Sequence, residues 1–165
     1  MTGNAGSGKS TLAEKLGAAF DLPATSLDTI VWQPKWNKTP ALERDKRIAQ
    51  LVAEPRWVIE GVSDLVLAEA DTVIFLDVPR RTSYLRCAKR NWRYLFRSRP
   101  GLPDDCPELR IIPTLTKIIW RFPTHVRPKI MAHIDEHPET SFRVRSAAQL
   151  PPTVMGGDDS YTGSS

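Results

Sequence analysis

Gly3-Asn4-Ala5-Gly6-Ser7-Gly8-Lys9-Ser10-Thr11 decides how the rest of the chain is read. The stretch follows G-x-x-x-x-G-K-[ST], the pattern of a phosphate-binding loop. Gly3, Gly6 and Gly8 allow backbone conformations closed to other residues and a close approach to a ligand. The N–H groups of the loop, those of Asn4, Ala5 and Ser7 included, can then converge on an anion. In such a loop Lys9 places its charge on the β- and γ-phosphates of ATP, and the Ser10 hydroxyl is positioned to bind Mg²⁺. Leu12, Leu16 and Phe20 follow at helical spacing, which predicts a helix over residues 8–20 with its N-terminal dipole facing the phosphates. The plainer alternative is a Gly/Ser-rich loop capping an ordinary helix. A strand before the loop would separate the two, and only Met1 and Thr2 precede Gly3.

Working outward, 165 residues favour one domain with a real core. The expected domain spans residues 1–150, and the Gly/Ser/Asp-rich tail 156–165 reads as disordered. The apolar and charged fractions, 41% and 25%, are those of a soluble globular protein. No apolar run reaches the ~18 residues of a membrane span. Cys87 and Cys106 are too few for a disulfide framework, so a reducing cytoplasm is the expected compartment. Charge is unevenly spread. Residues 79–129 hold 13 Lys/Arg against 3 Asp/Glu, a net +10, while the rest of the chain carries −6. Such a block suits either a polyanionic nucleotide or a nucleic-acid surface.

Strands are expected at Ala24–Asp28, Trp57–Gly61, Thr72–Asp77 and Ser141–Arg145. Near-continuous apolar runs such as Val73-Ile74-Phe75-Leu76 suit parallel strands buried on both faces. Helical patterns cover residues 41–53 (Leu42, Ile48, Leu51 and Val52 inward), 79–97, 108–122 (Ile111, Leu115, Ile118 and Phe122 on one face, with a kink or start at Pro113) and 126–137. Residues 29–40 and 98–107 read as loops. Alternating strands and helices predict an α/β protein with a parallel sheet and helices on both faces, three layers in all. Ligands in such sheets bind beyond the carboxyl ends of the strands. Asp28, Glu60 and Asp77 fall at those ends, beside the glycine loop.

The ordered run of Gly-Ser-Gly-Lys-Ser-Thr-Leu-Ala, Leu27-Asp28, Trp32 and Trp36, Trp57-Val58-Ile59-Glu60-Gly61, Ala70 to Asp77, and Asp105-Cys106-Pro107-Glu108 resembles the adenylate-kinase-like P-loop proteins often labelled DNA topology modulation proteins. The resemblance covers about residues 3–150. It implies the P-loop NTPase fold of nucleoside monophosphate kinases: a five-stranded parallel sheet, an acceptor-binding region and a mobile basic lid, here about residues 86–107. Glu60-Gly61 looks like the Asp-Gly whose acid holds Mg²⁺ through water. Asp77-Val78-Pro79 followed by Arg86 and Arg90 looks like the family's Asp-Val-Pro and two arginines, which would make Arg86 cover the base and Arg90 contact phosphates. Glu at position 60 sets its carboxylate one methylene further out, and the long lid motifs of adenylate kinases are absent between Arg97 and Cys106. The family also has a central strand upstream of its loop, for which this sequence leaves no room. The expectation is a late written start or a truncated form.

The implied activity is transfer of the ATP γ-phosphoryl group to a small acceptor, a nucleotide being the first expectation, with Lys9, Arg86, Arg90 and Asp28 catalytic and Ser10 and Glu60 on Mg²⁺. Asp28 would orient the acceptor hydroxyl or water or contact Mg²⁺ indirectly, or else serve as a helix cap or turn residue. Asp77 is expected to be structural, paired with a lid arginine. The alternatives are a nucleotide-binding regulator that contacts DNA through residues 79–129, and an inactive truncated homologue. Arg86, Arg90, Arg93 and Arg97 form one helical stripe whose mutual repulsion favours an anionic partner. Trp92, Tyr94 and Phe96 interleave them and are expected to pack inward. Trp32 and Trp36 line an acceptor pocket or belong to the core. His133-Ile134-Asp135-Glu136-His137 matches H-x-x-E-H, but Pro138 ends the helix at once and no third ligand is evident, so zinc is not expected.

Overall fold

A computed structural model describes residues 1–94 and 106–155, Arg93 through its backbone alone. The expected tail and the middle of the expected lid, including Phe96, Arg97 and the 98–105 part of the predicted loop, lie outside the described residues. In chain order the elements are β1 (Thr2–Gly3), α1 (Lys9–Phe20), β2 (Ala24–Ser26), α2 (Asp28–Val31), β3 (Trp32–Gln33), β4 (Asn37–Lys38), α3 (Ala41–Val52), β5 (Val58–Glu60), α4 (Asp64–Glu69), β6 (Val73–Leu76), α5 (Arg80–Arg93), α6 (Glu108–His125), α7 (Arg127–Glu136) and β7 (Ser141–Val144).

β6 is flanked in parallel by β1, with Thr2 opposite Phe75 and Gly3 opposite Leu76, and by β7, with Val73 opposite Ser141 and Leu76 opposite Val144. β2 and β5 form a second parallel ladder, Ser26 opposite Glu60. Met1 joins the two. Its nitrogen donates to Ile59 O at 2.6 Å and its carbonyl accepts from Gly61 N at 3.0 Å. That is the bonding of a residue in a parallel ladder, and it sets the strands in the order β2-β5-β1-β6-β7. The expectation of a missing first strand is therefore corrected. Thr2–Gly3 is a short central strand, because its backbone groups find partners on β5 and β6.

Alternation along β6 sends its side chains to two faces. Ile74 and Leu76 pack with Leu12 and Leu16 of α1 and with Val144. Phe75, with no exposed surface, packs with Phe122 of α6 and Ile130 of α7, its ring centroid 6.3 Å from that of Phe122. Helices thus lie on both faces of a parallel sheet, as the alternating pattern predicts. A third cluster, Leu27, Ile48, Ile59 and Val66, seats α3 and α4 beside β5.

Several expectations need correction. Residues 29–40 hold the end of α2 and the antiparallel β3–β4 hairpin as well as loop. α4, not anticipated, is six residues capped by Ser63, whose Oγ accepts from Val66 N. Leu42 is 85% exposed, in the first turn of α3, where nothing covers it. α6 runs unbroken through Pro113 and Pro123, and Ile119 rather than Ile118 turns inward. Trp92 is 81% exposed, so it does not pack inward as expected. No helix among the described residues is long and apolar enough to cross a membrane.

Asp77 closes the sheet's end. Its carboxylate accepts from Arg127 Nη2 at 2.9 Å on α7 and from Arg143 Nε at 2.8 Å on β7. Its partners are therefore not lid arginines, because β7 and the start of α7 converge on the end of β6. Burial raises the Asp77 pKa, but hydrogen bonds from Arg127 and Arg143 outweigh it and hold the carboxyl below its ordinary value of 3.8. A carboxylate with a depressed folded pKa stabilises the fold above its unfolded pKa, and the contribution fades as pH falls through the folded one. Asp77→Ala should cost about 2 kcal/mol at neutral pH. Urea unfolding of both proteins should show that difference shrinking as the pH drops below 3.8.

Candidate active site

The glycine loop joins β1 to α1 and turns through positive φ at Gly6 (72°) and Gly8 (101°), where other residues would be strained. Asn4 organises its interior. The Asn4 carbonyl accepts from Ser7 N at 3.2 Å and from Lys9 Nζ at 2.9 Å, and its Oδ1 accepts from Ala5 N at 2.8 Å. Lys9 is thus folded over its own loop. Burial pushes its ammonium below the ordinary lysine range, while the carboxylates of Glu60 and Asp28 act in the opposite sense and Arg90 adds to the lowering.

Ser10 lies in the first turn of α1 and Glu60 ends β5. Ser10 Oγ donates to Glu60 Oε1 at 3.0 Å, and Ser26 Oγ, at the end of β2, donates to the same oxygen. Glu60 is buried, 5% exposed, and carries both hydroxyls on one carboxylate oxygen. Ser26 Oγ also accepts from Asp28 N at 3.3 Å. Asp28 is not the end of a strand, as its sequence position implies. It is the first residue of α2, half-buried, because the chain turns into a helix directly after β2. Thr11 is exposed on α1, and Gly3 belongs to β1.

α5 brings the arginines. Arg86 Nη1 donates to Ser7 O at 3.0 Å, directly over the loop. One turn on, Arg90 Nη2 lies 3.8 Å from Glu108 Oε2 at the start of α6. Glu108 is 1% exposed. The Asn91 amide, oriented with its nitrogen inward, donates to the same oxygen at 2.9 Å. Arg90 Nε and Ser7 Oγ are buried without a hydrogen-bond partner among the described residues. The structure therefore gathers Lys9, Ser10, Asp28, Glu60, Arg86 and Arg90 around one edge of the sheet. Arg93's side chain and Arg97 lie outside the described residues.

Ser26, Glu108 and the side chain of Asn4 escape sequence reasoning. Ser26 was legible only as the residue opposite Glu60 in a paired ladder, and Glu108 only as an acid within reach of α5. Trp32 and Trp36 pack edge to face at 5.4 Å, and Trp36 Nε1 donates to Pro107 O at 2.9 Å, tying the β3–β4 hairpin to the start of α6. His133 and His137 stack on each other, and no group of three His, Cys, Asp or Glu residues among those described could hold a metal. A cavity of about 240 Å³ between α5 and α6 is lined by Tyr84, Cys87, Trp92 and Ile119 but not by Lys9, Ser10 or Glu60.

Family models, curated proteins and solved structures were compared with the chain. None matches.

Gly6 packs against α5 so closely that an added Cβ would meet Cys87 Sγ and Ser83 O, each at 2.8 Å. Gly6→Ala should therefore destabilise the protein by more than about 1 kcal/mol. Adding Cys87→Ala should recover only part of the loss, because the Ser83 carbonyl is helix backbone. Urea midpoints of the two variants check this.

Proposed function

We propose that the chain is a P-loop phosphotransferase of the nucleoside monophosphate kinase type, moving the γ-phosphoryl of ATP to a small acceptor, a nucleotide first among the candidates. The observation that carries this is the hydrogen bond between Ser10 Oγ and Glu60 Oε1, 3.0 Å long, at the foot of a glycine loop capped by Lys9. A hydroxyl from the loop's helix and an acid from the neighbouring strand end are the pair that a loop-bound Mg²⁺ uses. Mg²⁺ takes one or two protein groups and fills its shell with phosphate and water, which suits the Ser10–Glu60 pair. Arg90 Nε, buried without a hydrogen-bond partner among the described residues, and the half-buried Lys9 fit an anion in the loop.

Bound Mg-ATP supplies the phosphoryl group and two of the charges that neutralise it. The protein's own part is positioning and charge. Lys9 exchanges the Asn4 carbonyl for phosphate oxygens, and an anion there offsets the burial that lowers its pKa. Glu60, with Ser26 holding its carboxylate, fixes the Ser10 hydroxyl. Arg86 and Arg90 balance charge spread over the phosphoryl oxygens. Asp28, close enough to Lys9 to act on its charge, orients the acceptor.

ADP release from Mg-ATP should appear with one member of a panel of nucleoside monophosphates and small hydroxylated metabolites. It should vanish in Lys9→Ala and fall by about 10²-fold or more in Glu60→Gln. Asp28→Asn should keep ATP binding and lose acceptor-dependent turnover. ADP release independent of every acceptor, in folded protein, would overturn transfer to a small molecule.

The 81% exposure of Trp92, on the basic helix α5, favours one second reading: a nucleotide-binding regulator whose basic surface stacks on DNA bases. Steeply salt-dependent DNA binding, lost in Trp92→Ala with Lys89→Glu, would support it.

A further inference from the structure

α6 contains Pro123, which has no N–H, so the carbonyl of Ile119 lacks its helical donor four residues on. Ile119 is 1% exposed, which leaves that carbonyl dependent on a protein partner. The partner comes from the far end of the chain. Asn4 Nδ2, in the glycine loop, donates to Ile119 O at 3.2 Å. Asn4 is 2% exposed and uses the other arm of its amide to accept from Ala5 N. Exchanging the amide's two ends would set oxygen against the Ile119 carbonyl and nitrogen against the Ala5 N–H, so the hydrogen bonds fix its orientation. The Asn4 backbone carbonyl is the one that receives Ser7 N and Lys9 Nζ.

We propose that Asn4 is a positioning residue: its side chain clamps the glycine loop to the carbonyl that Pro123 leaves open in α6, and so presets the loop's N–H groups and Lys9 for a phosphate chain. The same helix begins at Glu108, beside Arg90. α6 thereby fixes the loop at one point and an arginine that faces it at another. The consequence for nucleotide affinity rests on the phosphotransferase reading, whereas the clamp does not.

The test compares the wild type with Asn4→Ala, Pro123→Ala and the double variant by amide hydrogen exchange and by titration with Mg-ATP. Asn4→Ala removes two hydrogen bonds, the one to Ile119 O and the one from Ala5 N, so the clamp is read on the Gly6–Lys9 amides, whose exchange should speed by about three- to tenfold with the amides of β6 unchanged. Mg-ATP affinity should weaken by a similar factor. Pro123→Ala returns a helical donor to Ile119 O, so Asn4→Ala should cost less stability in that background than in the wild type. Asn4→Ser keeps an acceptor for Ala5 N but is too short to reach α6, and it carries the same test should Asn4→Ala not fold. Unchanged loop exchange, or equal stability losses in both backgrounds, would overturn the clamp. Faster loop exchange in a protein that takes up no Mg-ATP would uphold the clamp and remove the nucleotide.

Discussion

Three residues, Met1 to Gly3, hydrogen-bond to β5 on one side and β6 on the other, and the rest of the molecule depends on that junction. Parallel strands need partners along both edges, and here a short central strand supplies them. Because β1 ends at Gly3, the glycine loop begins level with the ends of β5 and β6. That places α1's first turn beside Glu60, and the Ser10–Glu60 contact follows from it. The site sits at the strand ends because backbone pairing puts the loop there.

Acidic residues sort the basic ones. Asp77 takes Arg127 and Arg143 into the end of the sheet, where they hold β6, β7 and α7 together. Glu108 faces Arg90 from the start of α6. Arg86 has a carbonyl, Ser7 O, as its partner over the loop. Arg127 and Arg143 thus brace the scaffold, Arg86 and Arg90 lie beside the loop, and Lys9, half-buried and lowered in pKa, joins the second pair. A site that concentrates positive charge is one in which an anion is favoured.

β2, β5, β6, β7 and most helices were legible because their signals are local, a run such as Val73–Leu76 being buried on both faces, whereas β1, β3 and β4, two residues each, were not. The loop, Lys9, Ser10 and Glu60 were legible because glycine spacing and a strand-end acid carry their own chemistry. The contacts that complete the site were not. Ser26 on Glu60, Asn4 on Ile119 and Trp36 on Pro107 join residues 34, 115 and 71 positions apart, and no short pattern encodes such pairs. Pro113 reads as a kink or a start, yet α6 continues through it and through Pro123. A proline removes one donor, and at Pro123 the freed carbonyl is satisfied from the loop. Trp92 and Leu42 read as core from apolarity alone, and tertiary packing left them at the surface.

Calorimetric titration with ATP, in the presence and absence of Mg²⁺, on the wild type and on Ser10→Ala, bears most directly on whether the Ser10–Glu60 pair serves a phosphate loop. A loop of that kind predicts one site per chain, tighter with Mg²⁺ than without, and loss of the Mg²⁺ dependence in Ser10→Ala. An affinity indifferent to Mg²⁺ in the wild type, or no binding in folded protein, would contradict it.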